Sequence, residues 1–181
     1  MALPDFKSKA CERYFALWQR LRPADGIPAL SDLFDAADPN LQPQMAILDL
    51  VAPTVLRVRL FATRLVDYAG VDLTGTNLHS FARSEQFSAQ VNVAATVVTS
   101  HTCGLLSRKV AATAAGRRVT IEMMSLPLRP FAGGPPAIGA AVEVLEQLDF
   151  QERVFGLERY EAAEWVDVGY GVPAAAIQIP A

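Results

Sequence analysis

The chain has 181 residues, 51% of them apolar and 19% charged, with a formal net charge of −3. A chain of that length buries roughly two thirds of the surface its unfolded form exposes, so bulk disorder is excluded and no metal or disulfide staple is needed. The acidic balance, with an isoelectric point near 5.4, and basic residues clustered no further than the pairs Arg108, Lys109 and Arg117, Arg118, argue against nucleic acid as the main partner.

Cys11 and Cys103 are the only cysteines. They lack CxxC or metal-like spacing, which argues against a disulfide framework and a structural zinc site and fits a reducing compartment. No apolar run reaches the length of a membrane-spanning helix, and the opening MALPDFKSKACERYF is charged where a secretory leader needs its apolar stretch. A cytoplasmic protein is expected. No catalytic or phosphate-binding signature of the GxSxG, HExxH, GxxxxGK[ST] or GxGxxG type occurs.

Phe6, Ala10, Tyr14, Leu17, Trp18 and Leu21 recur at steps of three and four, which predicts an amphipathic helix from Phe6 to Leu21. Pro23, Pro28, Pro39 and Pro43 break the segment that follows. A short helix fits at Leu30 to Phe34, with Ser31 or Asp32 as its cap. Gln44 to Leu50 and Val55 to Leu60 read as two strands joined by a tight turn. Strict alternation in the second places Leu56, Val58 and Leu60 on one face and Val55, Arg57, Arg59 and Phe61 on the other. A helix starting near Ala62 or Thr63 and ending at Gly70 is next, then the DLTGTNL loop. The longest helical pattern runs from Ser84 to Cys103, with Gly104 as its stop signal. Leu105 to Thr113 and Val119 to Leu128 form a hairpin about Gly116, and Ile138 to Leu148 is a last strand. The predicted layout is a flanking helix over 1–22, a domain over 23–150 and a tail over 151–181. The fold class is α+β, one antiparallel sheet covered by helices on one face, with the first helix available for the other.

The run W-Q-R-L-R-P-A-D-G-I-P-A-L-S-D, then R-V-R-L-F-A-T and D-L-T-G, resembles a family of stand-alone PAS-like domains common in alphaproteobacteria. The matching positions are Trp18, Arg22, Pro23, Pro28, Asp32, Arg57, Arg59, Leu60 and Asp72 to Gly75. Leu126, Pro127 and Leu128 resemble the family's Leu-Pro-Leu strand ending, so the likeness spans Trp18 to Leu148. Ala62, where the family pattern has glycine, departs from it. The resemblance implies a five-stranded antiparallel sheet and an interior that in PAS domains holds a small ligand, haem or flavin. It also implies a sensory or adaptor role without catalysis, acting through a partner protein.

Leu56, Val58, Leu60, Phe87, Val91, Val98, Met123 and Val144 are the candidate cavity residues; the alternative is a filled core. Arg57 and Arg59 share a strand face and form a candidate anion site, the alternative being ion pairs with acidic neighbours such as Glu122 or Glu143. His79 and His101 are the only imidazoles available to a haem, each equally a capping or surface residue. Cys103, between Thr102 and Gly104, lacks the Asn-Cys-Arg-Phe surroundings of a flavin-adduct cysteine, and Cys11 reads as helix packing. Asp49, Asp67 and Asp72 are available carboxylates with no nucleophile or base at recognisable spacing, so no catalytic or metal site is assigned and a small isomerase or hydrolase remains the enzymatic alternative. Tyr14, Phe15 and Trp18 give the first helix an aromatic face that serves either its own sheet or a homodimer. The cofactor, if any, is not readable.

Overall fold

The computed structural model describes residues 3–149 and 151–173. The first helix, α1, is Lys9–Leu21. It begins three residues later than the periodicity predicts, because Ser8 caps it: the Ser8 side chain accepts a hydrogen bond from the Cys11 amide at 3.1 Å, satisfying a donor that has no partner within the helix. α2, Leu30–Ala36, starts after Ala29 with no side-chain cap. Ser31 and Asp32, expected as caps, stand inside its first turn.

Two strands follow, β1 (Met45–Ala52) and β2 (Val55–Phe61), then α3 (Thr63–Ala69), a single 3-10 turn at Leu78–Phe81, and α4 (Glu85–Ser100). Gly70 ends α3 with a φ of 69°, the left-handed conformation that releases the chain from a helix. α4 stops earlier than predicted. His101 caps it, Thr102 takes the positive φ, and Gly104 instead opens β3. A side chain at Gly104 would press within 2.9 Å of Leu126 and Met124, so its role is close packing of strands.

β3 (Gly104–Thr113), β4 (Arg118–Leu128), β5 (Ala137–Val144) and β6 (Val154–Val166) complete one six-stranded sheet in the order β2-β1-β5-β4-β3-β6. Every neighbouring pair is antiparallel. The expected five strands are therefore joined by a sixth, built from Val154–Val166 of the segment read as a tail. β6 pairs along the whole of β3, which converts β3 from an edge strand into an internal one. Pro173 is the last residue described, and the rest of the expected tail lies outside the described residues.

Helices cover both faces. α1 and α2 pack on one, where Tyr14, Phe15 and Trp18 are buried with Leu30, Leu33, Met124, Leu126 and Leu128. The Trp18 indole N–H donates to the Pro127 carbonyl at 2.8 Å. These aromatics are spent on the chain's own sheet, so the face of α1 read as a possible homodimer surface is buried within one copy. α4 and the residues around the 3-10 turn lie on the other face, where Phe87, Val91, Ala94, Ala95 and Val98 meet Leu48, Leu56, Val58, Leu105 and Ile138.

One irregularity in β2 decides which side chains face which layer. Ile47 pairs with Leu60, but the adjacent Leu48 pairs with Val58, leaving Arg59 as an extra, bulged residue. Such a bulge reverses the inside-outside alternation beyond it. Leu60 is thereby turned to the α1 layer, whereas Phe61 joins Leu56 and Val58 on the α4 side.

Candidate functional site

A cavity of about 110 Å³ lies between the sheet and the layer formed by α3, the 3-10 turn and α4. The sheet contributes Ala46 and Leu48 from β1, Leu56 and Phe61 from β2, Leu105 and Lys109 from β3, Ile121, Met123 and Ser125 from β4, Ile138 and Val142 from β5, and Val154, Leu157 and Tyr160 from β6. The roof is Leu65, Tyr68 and Ala69 of α3, Leu73, Leu78, Phe81, and Val91, Ala94, Ala95 and Val98 of α4. Small residues in α4 hold the space open: where Ala94 and Ala95 face the sheet, longer side chains would close it. Strand alternation supplies most of the floor, since Leu105, Lys109, Met123 and Ser125 each stand on the same side of their strand.

The cavity wall is apolar except for Ser125, two tyrosines and Lys109. Lys109 is the outlier, 5% exposed and internal to the sheet. Its Nζ lies 3.0 Å from the Met123 sulfur and 5.3 Å from the centre of the Tyr160 ring. Thioether and ring face are both weak partners for an ammonium compared with a carboxylate. Among the described residues no carboxylate stands within ion-pairing reach of Lys109. Burial accordingly pushes the amine down, to about 8, because a charge removed from water is disfavoured unless something compensates it.

Of the eight predicted cavity residues, Leu56, Val91, Val98 and Met123 line the cavity. Val58 and Phe87 belong to the surrounding core, Phe87 packed on the Tyr160 ring at 5.3 Å. Val144 is buried further along the sheet with Val119, Ile121 and Val154. Leu60 is on the opposite face, because the bulge at Arg59 was not visible in the pattern of residue types. Lys109 went unnoticed. Arg108 and Lys109 are adjacent in a strand, so they point to opposite faces, and the layer of α3, the 3-10 turn and α4 covers the face that Lys109 takes.

The predicted anion site already holds an anion. Arg59 Nε donates to the Asp49 carboxylate at 2.9 and 3.1 Å, and Arg57 reaches it at 3.4 Å. Asp49 is 1% exposed and stands directly across the β1–β2 ladder from Arg57. The carboxylate partner is thus neither Glu122 nor Glu143. Glu122, fully buried, instead accepts from the backbone amides of Lys7 and Ser8 at 3.0 and 2.8 Å and from Arg108 Nε at 3.0 Å. Glu143 accepts from the Ser8 hydroxyl at 2.6 Å. Both tie the start of α1 to the sheet.

Neither histidine nor cysteine reaches the cavity. His79 Nε2 sits 2.7 Å from Asn92 Oδ1, linking the 3-10 turn to α4, and exposed His101 caps α4. Cys11 is buried under α1 near the Glu122 and Ala141 carbonyls, and burial pushes its thiol up to about 12. Burial raises Cys103 to about 11. A flavin or haem does not fit this wall: it offers no imidazole or thiol, and its volume is below the 150 Å³ or so that admits a benzene. Asp67 and Asp72 are exposed, Asp72 accepting from the Thr74 amide at 2.9 Å.

An antiparallel sheet in the order β2-β1-β5-β4-β3, with helical segments roofing an apolar interior, defines a PAS-type sensory fold. Residues 6–142 match the family model described as PAS domain, and the chain belongs to that family. Comparison with curated proteins gave no match. Among solved structures it is similar to the LOV protein of Rhodobacter sphaeroides, with a TM-score of 0.45 and 11% identity over 75% of this chain and 69% of that one. A fungal LOV-domain photoreceptor gives 0.43 and 14% over 55% and 72% of the two chains. An RNA-binding light-oxygen-voltage receptor gives 0.46 and 13% over 80% of this chain and 36% of that one. Likenesses this distant say nothing about what the interior of this chain holds.

Proposed function

We propose that this protein is a non-catalytic sensory domain that takes a small molecule into the cavity beneath α3 and α4 and passes the resulting change of shape to a partner protein. The observation that carries this reading is the cavity itself, apolar and roofed by short, separately connected helical segments rather than one rigid layer. A ligand that bound with the roof in one position would shift its equilibrium by as much as it prefers that position. The absence of catalysis is supported by the disposition of the carboxylates: Asp49 is held between two arginines, and none of the lining residues is an acid or a histidine. Among the described residues no helix is long and apolar enough to cross a membrane. We place the protein in the cytoplasm, with a protein rather than a nucleic acid as its target, given the net charge of −3.

Native and denaturing mass spectrometry of freshly purified protein tests the reading without assuming a ligand. A reproducible extra mass, lost on denaturation, is the expected result. A clean mass on fresh protein, together with no response to any small apolar probe, would overturn it in favour of an interaction module with a closed core.

A further inference from the structure

Lys109 combines three properties that packing alone does not account for. It is almost wholly buried, it faces the cavity, and its nearest polar contacts are a thioether and an aromatic face. The other buried charges of the sheet are treated differently. Asp49 has two guanidinium partners and Glu122 has a guanidinium and two amides. A buried charge without a counter-charge costs several kcal/mol, and a methionine in the same place would fill the space without that cost. Lys109 is therefore the one cavity residue whose chemistry calls for something the chain does not supply.

We propose that Lys109 is the recognition residue of the cavity and that the ligand is a small apolar carboxylic acid, its carboxylate paired with the ammonium and its hydrocarbon part lying along the apolar wall. This inference rests on the ligand-binding reading above and names its substrate class. Size sets the length. A cavity near 110 Å³, smaller than the roughly 150 Å³ that takes the six carbons of benzene, holds an acid of about two to three carbons. Charge sets the head group. The ammonium donates hydrogen bonds and has no acceptor function, so a neutral amide or alcohol leaves the charge uncompensated, whereas a carboxylate cancels it and accepts hydrogen bonds from it. The roof supplies no competing acid: Tyr68 is the titratable lining residue from α3, and the lining residues of α4 are all valines and alanines.

The probes are propanoate and its neutral counterpart propanamide, titrated into the full chain by calorimetry and followed by thermal shift at about pH 6.5, where lysine and acid are both charged. The expected result is saturable binding of propanoate, about tenfold or more tighter than propanamide, since each tenfold is about 1.4 kcal/mol of preference. In Lys109→Met, propanoate should weaken by about tenfold or more while propanamide changes by less than about threefold, because only the charged contact is removed. Circular dichroism checks that the variant folds, and Lys109→Gln, which keeps a polar but uncharged end, repeats the comparison. Equal affinity for the two probes, unaffected by either substitution, would overturn the pairing and leave a ligand-binding cavity in place. Failure of both probes to bind the unmodified protein overturns the pairing too, and with a clean native mass it overturns the sensory reading as well.

Discussion

On the α1 face of the sheet, Trp18 and Tyr14 are completely shielded, Gly139 gives up its side chain to make room, and the buried acid Glu122 has three donors around it. On the α4 face, alanines stand where larger residues would fit, a cavity of about 110 Å³ remains, and the buried base has no acid. The same sheet thus separates a layer optimised for packing and charge compensation from one that is neither. Stability accounts for the first. The second is the face on which the proposed ligand would supply the missing volume and the missing charge.

The contrast can be broken most forcefully through Glu122. Glu122→Ala removes the acceptor of two backbone amides and of Arg108, leaving them unpaired at the base of α1, and should cost about 3–5 kcal/mol in a denaturant titration. The corresponding change on the other face has the opposite sign. Lys109→Met removes a charge that has no counterpart to be stranded, and should stabilise the ligand-free protein by roughly 2–3 kcal/mol at neutral pH.

That gain should depend on pH in a defined direction. The amine stands near 10.5 in the unfolded chain and about 8 in the folded one. Below about 8 it is charged in both states and the burial penalty is complete; between there and about 10.5 the folded state has shed its proton while the unfolded state keeps it, so the penalty fades. The groups around the amine are Tyr160 from β6, Tyr68 from α3, and Cys11, whose charge would favour the ammonium. Cys11 and Cys103, raised to about 12 and about 11, act oppositely, since their thiols ionise first in the unfolded chain and lower stability above pH 9 or so. Both thiols are present in the variant as well. The stability difference between Lys109→Met and the unmodified protein therefore isolates the amine, and it should narrow as pH rises from 8 towards 10. A difference independent of pH would show that the amine holds its proton equally in the folded and unfolded chain, so that burial imposes no penalty on its charge.

Added volume should also discriminate between the faces. At Gly139 a Cβ would collide with the Tyr14 hydroxyl and approach Leu128 at 2.8 Å, so Gly139→Ala should cost about 1–3 kcal/mol. Ala95→Leu places three more carbons into the cavity and should gain about 1 kcal/mol while abolishing ligand binding. Equal losses at both positions would mean that the α4 face is already full.

How much of this was legible in the residues differs between the same two faces. The α1 stripe and the strands of the central sheet follow from helical and alternating periodicity, and the likeness of Trp18 to Leu148 to a PAS-like pattern placed them in order. The cavity was half legible. Leu56, Val91, Val98 and Met123 were found because an apolar residue in a regular element has a predictable direction. Leu60 was misplaced by one bulged residue, which no residue type announces. Lys109 was missed for a topological reason: Val154–Val166, with acidic and aromatic residues spread along it, resembles a solvated tail, and only its pairing with β3 turns a plausible edge-strand lysine into a buried one.

The smallest expected effect lies at the point where the packed face is tightest. The Tyr14 hydroxyl is buried without a hydrogen-bond partner, and burial pushes its ionisation well above the ordinary tyrosine value. Leaving a buried hydroxyl unpaired is unfavourable, so Tyr14→Phe should stabilise the fold by about 0.5–1 kcal/mol, the loss of one atom's packing offsetting part of the gain. The same hydroxyl is the nearest atom to a Cβ at Gly139. Removing it should therefore lessen the damage of Gly139→Ala, and the double variant should be more stable than the sum of the two single changes by about 0.5–2 kcal/mol. Strict additivity would place the obstacle at Leu128 or Leu33, the next atoms in line, and would make the hydroxyl a passenger. Across the sheet the same Tyr14→Phe change should leave propanoate binding untouched, because the two layers share strands but no side chains.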